Sequence, residues 1–397
     1  MNKPTFFLLF SLALCFNSEA ADITWTTSGF KMSVNDKGYV TSLYDVINNK
    51  EYLPEDISVP LLSIRSNGDL EHPAMMKSKG RELTLMYEKN KVNAKIAVVA
   101  KPGYLTFEII DIKPFEKVEI VIWGPYSTTI SETIGECVGV VRNSQFALGI
   151  QALNVKTLGG YPTEENDIEP SFNIFEENPV DIKEDWKMKK LYRGQTARAT
   201  EHGSVLQAYC RNRLKDRIIS NWGHEKYYAP AFDDGGVKGS KIALFGCPAD
   251  QALKTIGEIE LGEGLPHPVI DGEWVKTARS ATASYLIIDF GEGNIEKAIE
   301  FTRKAGLKYL YHGGPFDTWG HFILDAKAFP DNWTSMMRCV ERAKGQGIRL
   351  GVHTLSNFIT TNDPYVTPVP DKRRAKEGES VITSSIDESA AEILIES

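Results

Sequence analysis

The chain has 397 residues, 42% of them hydrophobic and 25% charged, with a formal net charge of −8 at pH 7. That balance excludes an unfolded polyelectrolyte, and the acidic excess argues against a nucleic-acid backbone as partner. The length allows two domains, each with its own core.

The first twenty residues read as a secretion signal. Lys3 supplies the positive region, Phe6 to Phe16 the apolar run, and Ser18-Glu19-Ala20 the small residues before a cut. The run is too short to cross a bilayer, and no later stretch approaches about 20 apolar residues, so no membrane span is expected. A secreted or periplasmic protein is expected, with a lipidated Cys15 as the alternative. The remaining cysteines, Cys137, Cys210, Cys247 and Cys339, form no C-x-x-C pair, so no zinc site is expected. Export permits a disulfide, but buried free thiols are the preferred reading.

Residues 21–277 read as β. Runs rich in Val, Ile, Tyr and Phe recur: FKMSV (30–34), KIAVVA (95–100), YLTFEII (104–110), KVEIVIW (117–123), ECVGVVR (136–142), FALGIQAL (146–153), SVLQAYCR (204–211) and KIALFG (241–246). Turn residues separate them, at Asn35 to Gly38, Pro102-Gly103, Asn143-Ser144 and Asp233 to Gly236. Many strands at this spacing imply a large antiparallel sandwich. The acidic then basic stretch 161–200 reads as a solvated loop rather than a calcium site, since it lacks EF-hand spacing. A polar-aromatic segment, Trp222-Gly223-His224-Glu225-Lys226-Tyr227-Tyr228, is either part of a ligand site or an ordinary contact.

Gly262 to Trp274 reads as a linker. Beyond it the period changes from two to 3.6 between apolar runs. SYLIIDFG (284–291), LKYLYHGG (307–314) and IRLGVHTL (348–355) read as strands. Between them lie two helices. Asn294 is expected to cap the first, with Ile295, Ala298, Ile299, Thr302 and Ala305 as its apolar face and Gly306 as its stop. Asp331 is expected to cap the second, with Trp333, Met336, Met337, Val340 and Ala343 inward. Strand, helix, strand, helix, strand is the pattern of parallel βαβ units, whose chemistry sits at the carboxyl ends of the strands. After Pro370, 380–383 and 392–395 suggest a small β excursion.

Asp289, His312 and His353 each fall near such a strand end. The loop from His312 to Phe322 adds Asp317, Trp319 and His321. A sugar presents an apolar face and a fringe of hydroxyls, so an aromatic beside carboxylates and imidazoles suits it. Equally, Trp319 and Phe322 are expected to cap a core if no ligand binds there. The three histidines lack metal-site spacing, no G-x-S-x-G elbow is present, and no glycine-rich nucleotide loop follows a strand. No cofactor and no metal are expected.

The large N-terminal β region, the strand SYLIIDFG and the block ERAKGQGIRLGVHT (341–354) together resemble secreted bacterial glycoside hydrolases of the α-galactosidase-like and related α-glycosidase families. The resemblance implies a multi-domain β plus α/β fold: a large antiparallel β-supersandwich over 21–277, followed over 278–397 by the N-terminal part of a (β/α)8 barrel. It implies hydrolysis of glycosidic bonds in poly- or oligosaccharides by two carboxylates. Those lie in the family at the ends of the fourth and sixth barrel strands, which the chain is expected to stop short of, so no residue here is assigned either role. Asp289, His312 and His353 match positions that hold substrate, and Asp317, Trp319 and His321 are expected to join them. Two alternatives stand beside this reading. One is a non-catalytic carbohydrate-binding protein. The other is a mutarotase- or lyase-like activity within the sandwich, for which Glu201, His202, His224 and Glu225 are the candidates.

Overall fold

A computed structural model of the protein describes residues 22–160, 196–221, 224–355, 358–372, 374 and 380–396. The signal segment, Cys15, 161–195, Trp222 and Gly223 lie outside the described residues, as do the side chains of His224 and Glu225. The chain divides into two compact units, one ending at His267 and one beginning at Pro268.

The first unit is built from antiparallel sheets. The largest has eight strands, in the order Thr133–Gly135, Val140–Arg142, Phe146–Ala152, Lys241–Pro248, Leu105–Lys113, Val92–Ala100, Glu82–Tyr87 and Met75–Lys79. A six-stranded sheet is centred on Ile120–Thr128, between Gly203–Arg211 and Leu62–Ser66. A five-stranded sheet begins at Ile23–Thr26. One continuous apolar core joins residues of all three, including Phe30 and Val34, Ile96, Phe107 and Leu244, and Leu62, Val121 and Trp123. The strand Val92–Ala100 shows why: its buried and exposed residues alternate, so one pleated face meets the core. Gly203–Arg211 is buried at nearly every position, because Ile120, Ile122 and Tyr209 form a second cluster on the far face of its sheet.

The turn chemistry is local and visible in sequence. The Asn35 carboxamide accepts from the Lys37 and Tyr39 amides at 3.1 and 3.0 Å, and Gly38 closes the turn at φ +86°. Asn143 does the same for Gln145 and Phe146, at 2.8 Å each. The expected strand 136–142 is shorter in the structure. Residues 136–139 form a turn, closed by a 2.9 Å bond from the Gly139 amide to the Gly135 carbonyl, and only Val140–Arg142 is extended. Gly139 sits at φ +72°, where a Cβ would lie 2.6 Å from the Ile150 carbonyl.

The stretch before the second unit also departs from the expected β pattern. Ala252–Glu263 is a helix, ended by Gly264 at φ +70°. Gly257 and Gly262 weaken its intrinsic propensity, and burial of Ile256 and Ile259 selects the helix instead. Glu263 ties its end to the sheet through Lys101, through Lys241 at 2.9 Å and through the Tyr104 hydroxyl at 2.9 Å. Burial raises its carboxyl pKa, but these three bonds outweigh burial and the net shift is downward. Cys210, Cys247 and Cys339 are buried free thiols, while Cys137 is exposed. Burial pushes the Cys210 thiol up to about 11, so it behaves as an inert core group.

In the second unit three strands, Leu286–Ile287, Tyr309–His312 and Arg349–Val352, pair in parallel as immediate neighbours. Two helices, Ile295–Lys304 and Trp333–Gly345, make the crossovers. The register aligns Leu286, Leu310 and Leu350, which pack with Ile299, Met336 and Cys339 of the helices. Residues Ile287, Tyr311 and Gly351 align on the opposite face, where Tyr285 and Tyr311 lie 5.4 Å apart.

Both helices form where the apolar period places them, with local corrections. Asn294 is the first N-cap, but its side chain accepts from the Gly291 amide at 2.7 Å rather than from the helix, and Ala305 is exposed. The second N-cap is Asn332, not Asp331. Its buried face is Ser335, Met336, Cys339 and Ala343, with Trp333 and Met337 turned outward. The expected excursion near the end of the chain exists as one antiparallel bridge, Ile382 to Ile395.

Candidate functional site

Because the three parallel strands are neighbours running one way, their carboxyl ends share one edge, and the loops that follow them meet there. After the first strand, Asp289 to Asn294 leads into a helix. After the second, residues 313–328 fold back on themselves. Phe316 bridges Leu324, the Asp317 amide donates to the Ile323 carbonyl at 2.8 Å, and the Asp325 amide to the Pro315 carbonyl at 2.9 Å. These two loops enclose a crevice of about 620 Å³, lined among others by Asp289, Asn294, His312, Phe316, Asp317 and Asp325.

The structure therefore brings Asp289, His312 and Asp317 to one crevice. The Asp289 carboxylate is 89% exposed and stands 3.6 Å from His312 Nδ1. Asp317 is exposed, and its carboxylate makes no hydrogen bond or ion pair among the described residues. Asp325 is committed to structure, since its Oδ1 accepts from the Ala328 amide at 2.7 Å. Glu292 anchors the first loop through a two-pronged pair with Arg338, at 2.5 and 2.7 Å. The Arg338 bonds hold that carboxyl down to about 2.

His312 shares strand parity with Leu310, so its ring turns toward the helices. It sits 5.0 Å from the Phe290 ring and 6.2 Å from that of Phe329. Its Nδ1 accepts from the Gly314 amide at 3.2 Å, which leaves the proton of the neutral ring on Nε2. Burial lowers its pKa, and the upward pulls of Asp289 and of the Phe290 backbone bond do not offset this. The folded state thus binds fewer protons at His312 than the unfolded state. The neutral ring's contribution to stability is fully present above the ordinary value of 6.5 and is lost as pH falls through the lower folded value. The second unit is expected to unfold more readily as pH drops below 6.5. Urea midpoints across pH check this, and a His312→Gln variant is expected to flatten that part of the profile.

His353 follows the third strand and has the opposite parity. Its ring lies 6.4 Å from Tyr311 and 5.9 Å from Trp319, and the residue is exposed. His312 and His353 are thus at the same end of the sheet but on opposite faces. Trp319 does not line the crevice. It packs in an aromatic group with Phe316, Phe322 and Phe358 at 5.7–6.1 Å. His321 is not in the crevice either. It pairs with Asp363, at 2.8 Å from ring Nδ1 to Oδ1 and 2.8 Å from its amide to Oδ2.

Sequence reading missed Asp363, which has no exposed surface and whose carboxylate also accepts from the Tyr365 amide at 2.9 Å. The one available signal was Asp363-Pro364, which marks a turn without naming a partner. Asp325 was missed as a crevice residue because the back-folded loop places it there, and Asn294 because it was read only as a helix cap. In the first unit, His202 and Glu201 pair at 3.1 Å on the surface.

No protein-family profile matches the chain. No curated protein matches it in sequence. Among solved structures, it aligns with the GH36 alpha-galactosidase AgaA from Geobacillus stearothermophilus at 9% identity and a TM-score of 0.35, over 87% of this chain and 58% of that one. The alpha-galactosidase from Lactobacillus brevis gives 9% identity and a TM-score of 0.36, over 88% of this chain and 56% of that one. The alpha-galactosidase from Thermus thermophilus, solved with p-nitrophenyl alpha-D-galactopyranoside, gives 10% and 0.26, over 76% and 50%. The chain therefore spans between half and three-fifths of the length of the solved structures it matches.

Proposed function

We propose that this chain is the carbohydrate-handling part of a secreted glycoside hydrolase, with its second unit contributing the first three strands of a (β/α)8 barrel. The observation that carries the reading is the crevice at the strand ends. It offers the accessible carboxylates of Asp289 and Asp317, the oriented imidazole of His312 and the ring of Phe316 to one volume of about 620 Å³. Carboxylates there accept sugar hydroxyls, and the aromatic edge covers the apolar face of the ring. Asp289 and Asp317 are assigned to holding substrate, and no residue of this chain is assigned as nucleophile or proton donor.

Calorimetric titration with oligosaccharides from partial hydrolysates of galactan, mannan, xylan and starch tests it. At least one pool is expected to bind, with Asp289→Asn and Asp317→Asn each weakening binding about tenfold, the loss of about 1.4 kcal/mol from one charge-assisted bond. Binding by no pool, or binding indifferent to both variants, removes the reading. Turnover of aryl-glycosides by this chain contradicts the reading that none of its residues serves as nucleophile or proton donor.

A further inference from the structure

The His321–Asp363 pair is the most tightly built polar arrangement of the second unit that the crevice does not use. Asp363 has no exposed surface, yet it is richly supplied with donors: the His321 amide, the Tyr365 amide and the Thr318 hydroxyl. The imidazole is therefore not needed to satisfy the carboxylate. The carboxylate instead acts on the ring. Accepting from Nδ1 at 2.8 Å, it fixes the neutral tautomer with the proton there. The Tyr365 ring, 4.1 Å away and inclined by 33°, fixes the imidazole plane. Gly320 permits the approach. It lies at φ +125°, and a Cβ there would come 2.7 Å from Asp363 Oδ1.

What remains is Nε2, a lone pair on a side chain that is 43% exposed and has no partner among the described residues at that atom. A buried carboxylate that sets the tautomer of a half-exposed histidine is the usual arrangement for an imidazole that must accept a proton or a hydrogen bond at its outer nitrogen. His321, Asp363 and Tyr365 lie outside the residues that line the crevice.

We propose that His321, held by Asp363 and Tyr365, is an oriented acceptor for a ligand hydroxyl, a second carbohydrate subsite outside the Asp289 crevice. The subsite rests on the carbohydrate reading above. Asp363 is a positioning residue in it, acting through His321.

The test uses the whole chain and the imidazole nitrogen chemical shifts of His312 and His321, assigned by single His→Gln variants. In the unliganded protein, His321 is expected to carry its proton on Nδ1 and His312 on Nε2. A proton on His321 Nε2 overturns the proposal without any variant having to fold. Asp363→Asn is expected to populate the other tautomer, and an unchanged tautomer in a folded variant overturns the positioning role. The four oligosaccharide pools are then added. A pool that moves both His312 and His321 Nε2 supports the subsite, and His321→Gln is then expected to weaken its binding about fivefold, the loss of one hydrogen bond of about 1 kcal/mol. A pool that moves His312 alone overturns the subsite and leaves the hydrolase reading standing. If no pool moves either, both fall.

Discussion

Trp123→Ala is expected to lower the unfolding free energy of the first unit by about 3–5 kcal/mol, the cost of removing a fully buried large aromatic. Trp123 has no exposed surface and belongs to the six-stranded sheet, while its contacts reach the other sheets. Its ring is 6.4 Å from Phe107 of the eight-stranded sheet, which in turn meets Trp25 of the five-stranded sheet edge-on at 5.8 Å. Its Nε1–H donates to Ser240 Oγ at 3.0 Å, so truncation also leaves that buried hydroxyl with one bond fewer. Urea unfolding followed by circular dichroism measures the loss. Trp123→Phe keeps most of the volume and is expected to recover more than half of it. A change below about 1 kcal/mol, the scale of a surface substitution, contradicts the picture of one core shared by three sheets.

Asp363→Ala is expected to cost the second unit about 3 kcal/mol, because two backbone amides, those of His321 and Tyr365, lose their acceptor in a site without solvent. The segment near Asp363 and the back-folded loop are joined through this carboxylate and through three further bonds. These run from the Trp319 amide to Thr360 Oγ1, from the Thr360 amide to the Trp319 carbonyl and from Asn362 Nδ2 to the Asp317 carbonyl, all 3.0 Å. Limited proteolysis is expected to cut the variant first between Trp319 and Asp363. Asp363→Asn keeps an acceptor oxygen and is expected to lose less. Burial raises the Asp363 carboxyl pKa, but the bonds from His321, Tyr365 and Thr318 outweigh burial and hold it well below the ordinary 3.8. Its contribution is therefore present above 3.8 and lost as pH falls through the folded value. His312 weakens the same unit in the same direction at milder acidity, so the stability of this unit is expected to fall over two separate ranges of pH.

The strands that could be read from sequence share a property: their signal is local. Phe30–Val34 and Phe146–Ala152 are runs of β-formers between Asn-led turns, and the turn bonds of Asn35 and Asn143 lie within four residues of their donors. The helix Ile295–Lys304 was legible because a buried stripe repeats at helical spacing. The helix Ala252–Glu263 was not, since its two glycines blur the local preference and only packing against the sheet makes it favourable.

Amino-acid order alone determined that Asp289, His312 and His353 stand at the carboxyl ends of three strands running one way, because period and length suffice to place a strand end. Tertiary structure decided which of them meet. Strand parity turned His312 toward the helices and His353 toward the other face, and a one-residue difference in where each strand ends is enough to make that choice. The back-folding of residues 313–328 brought Asp317 to Asp289, and it set His321 against an aspartate 42 positions away. Pairings of that kind depend on loop paths through space, which no local period encodes.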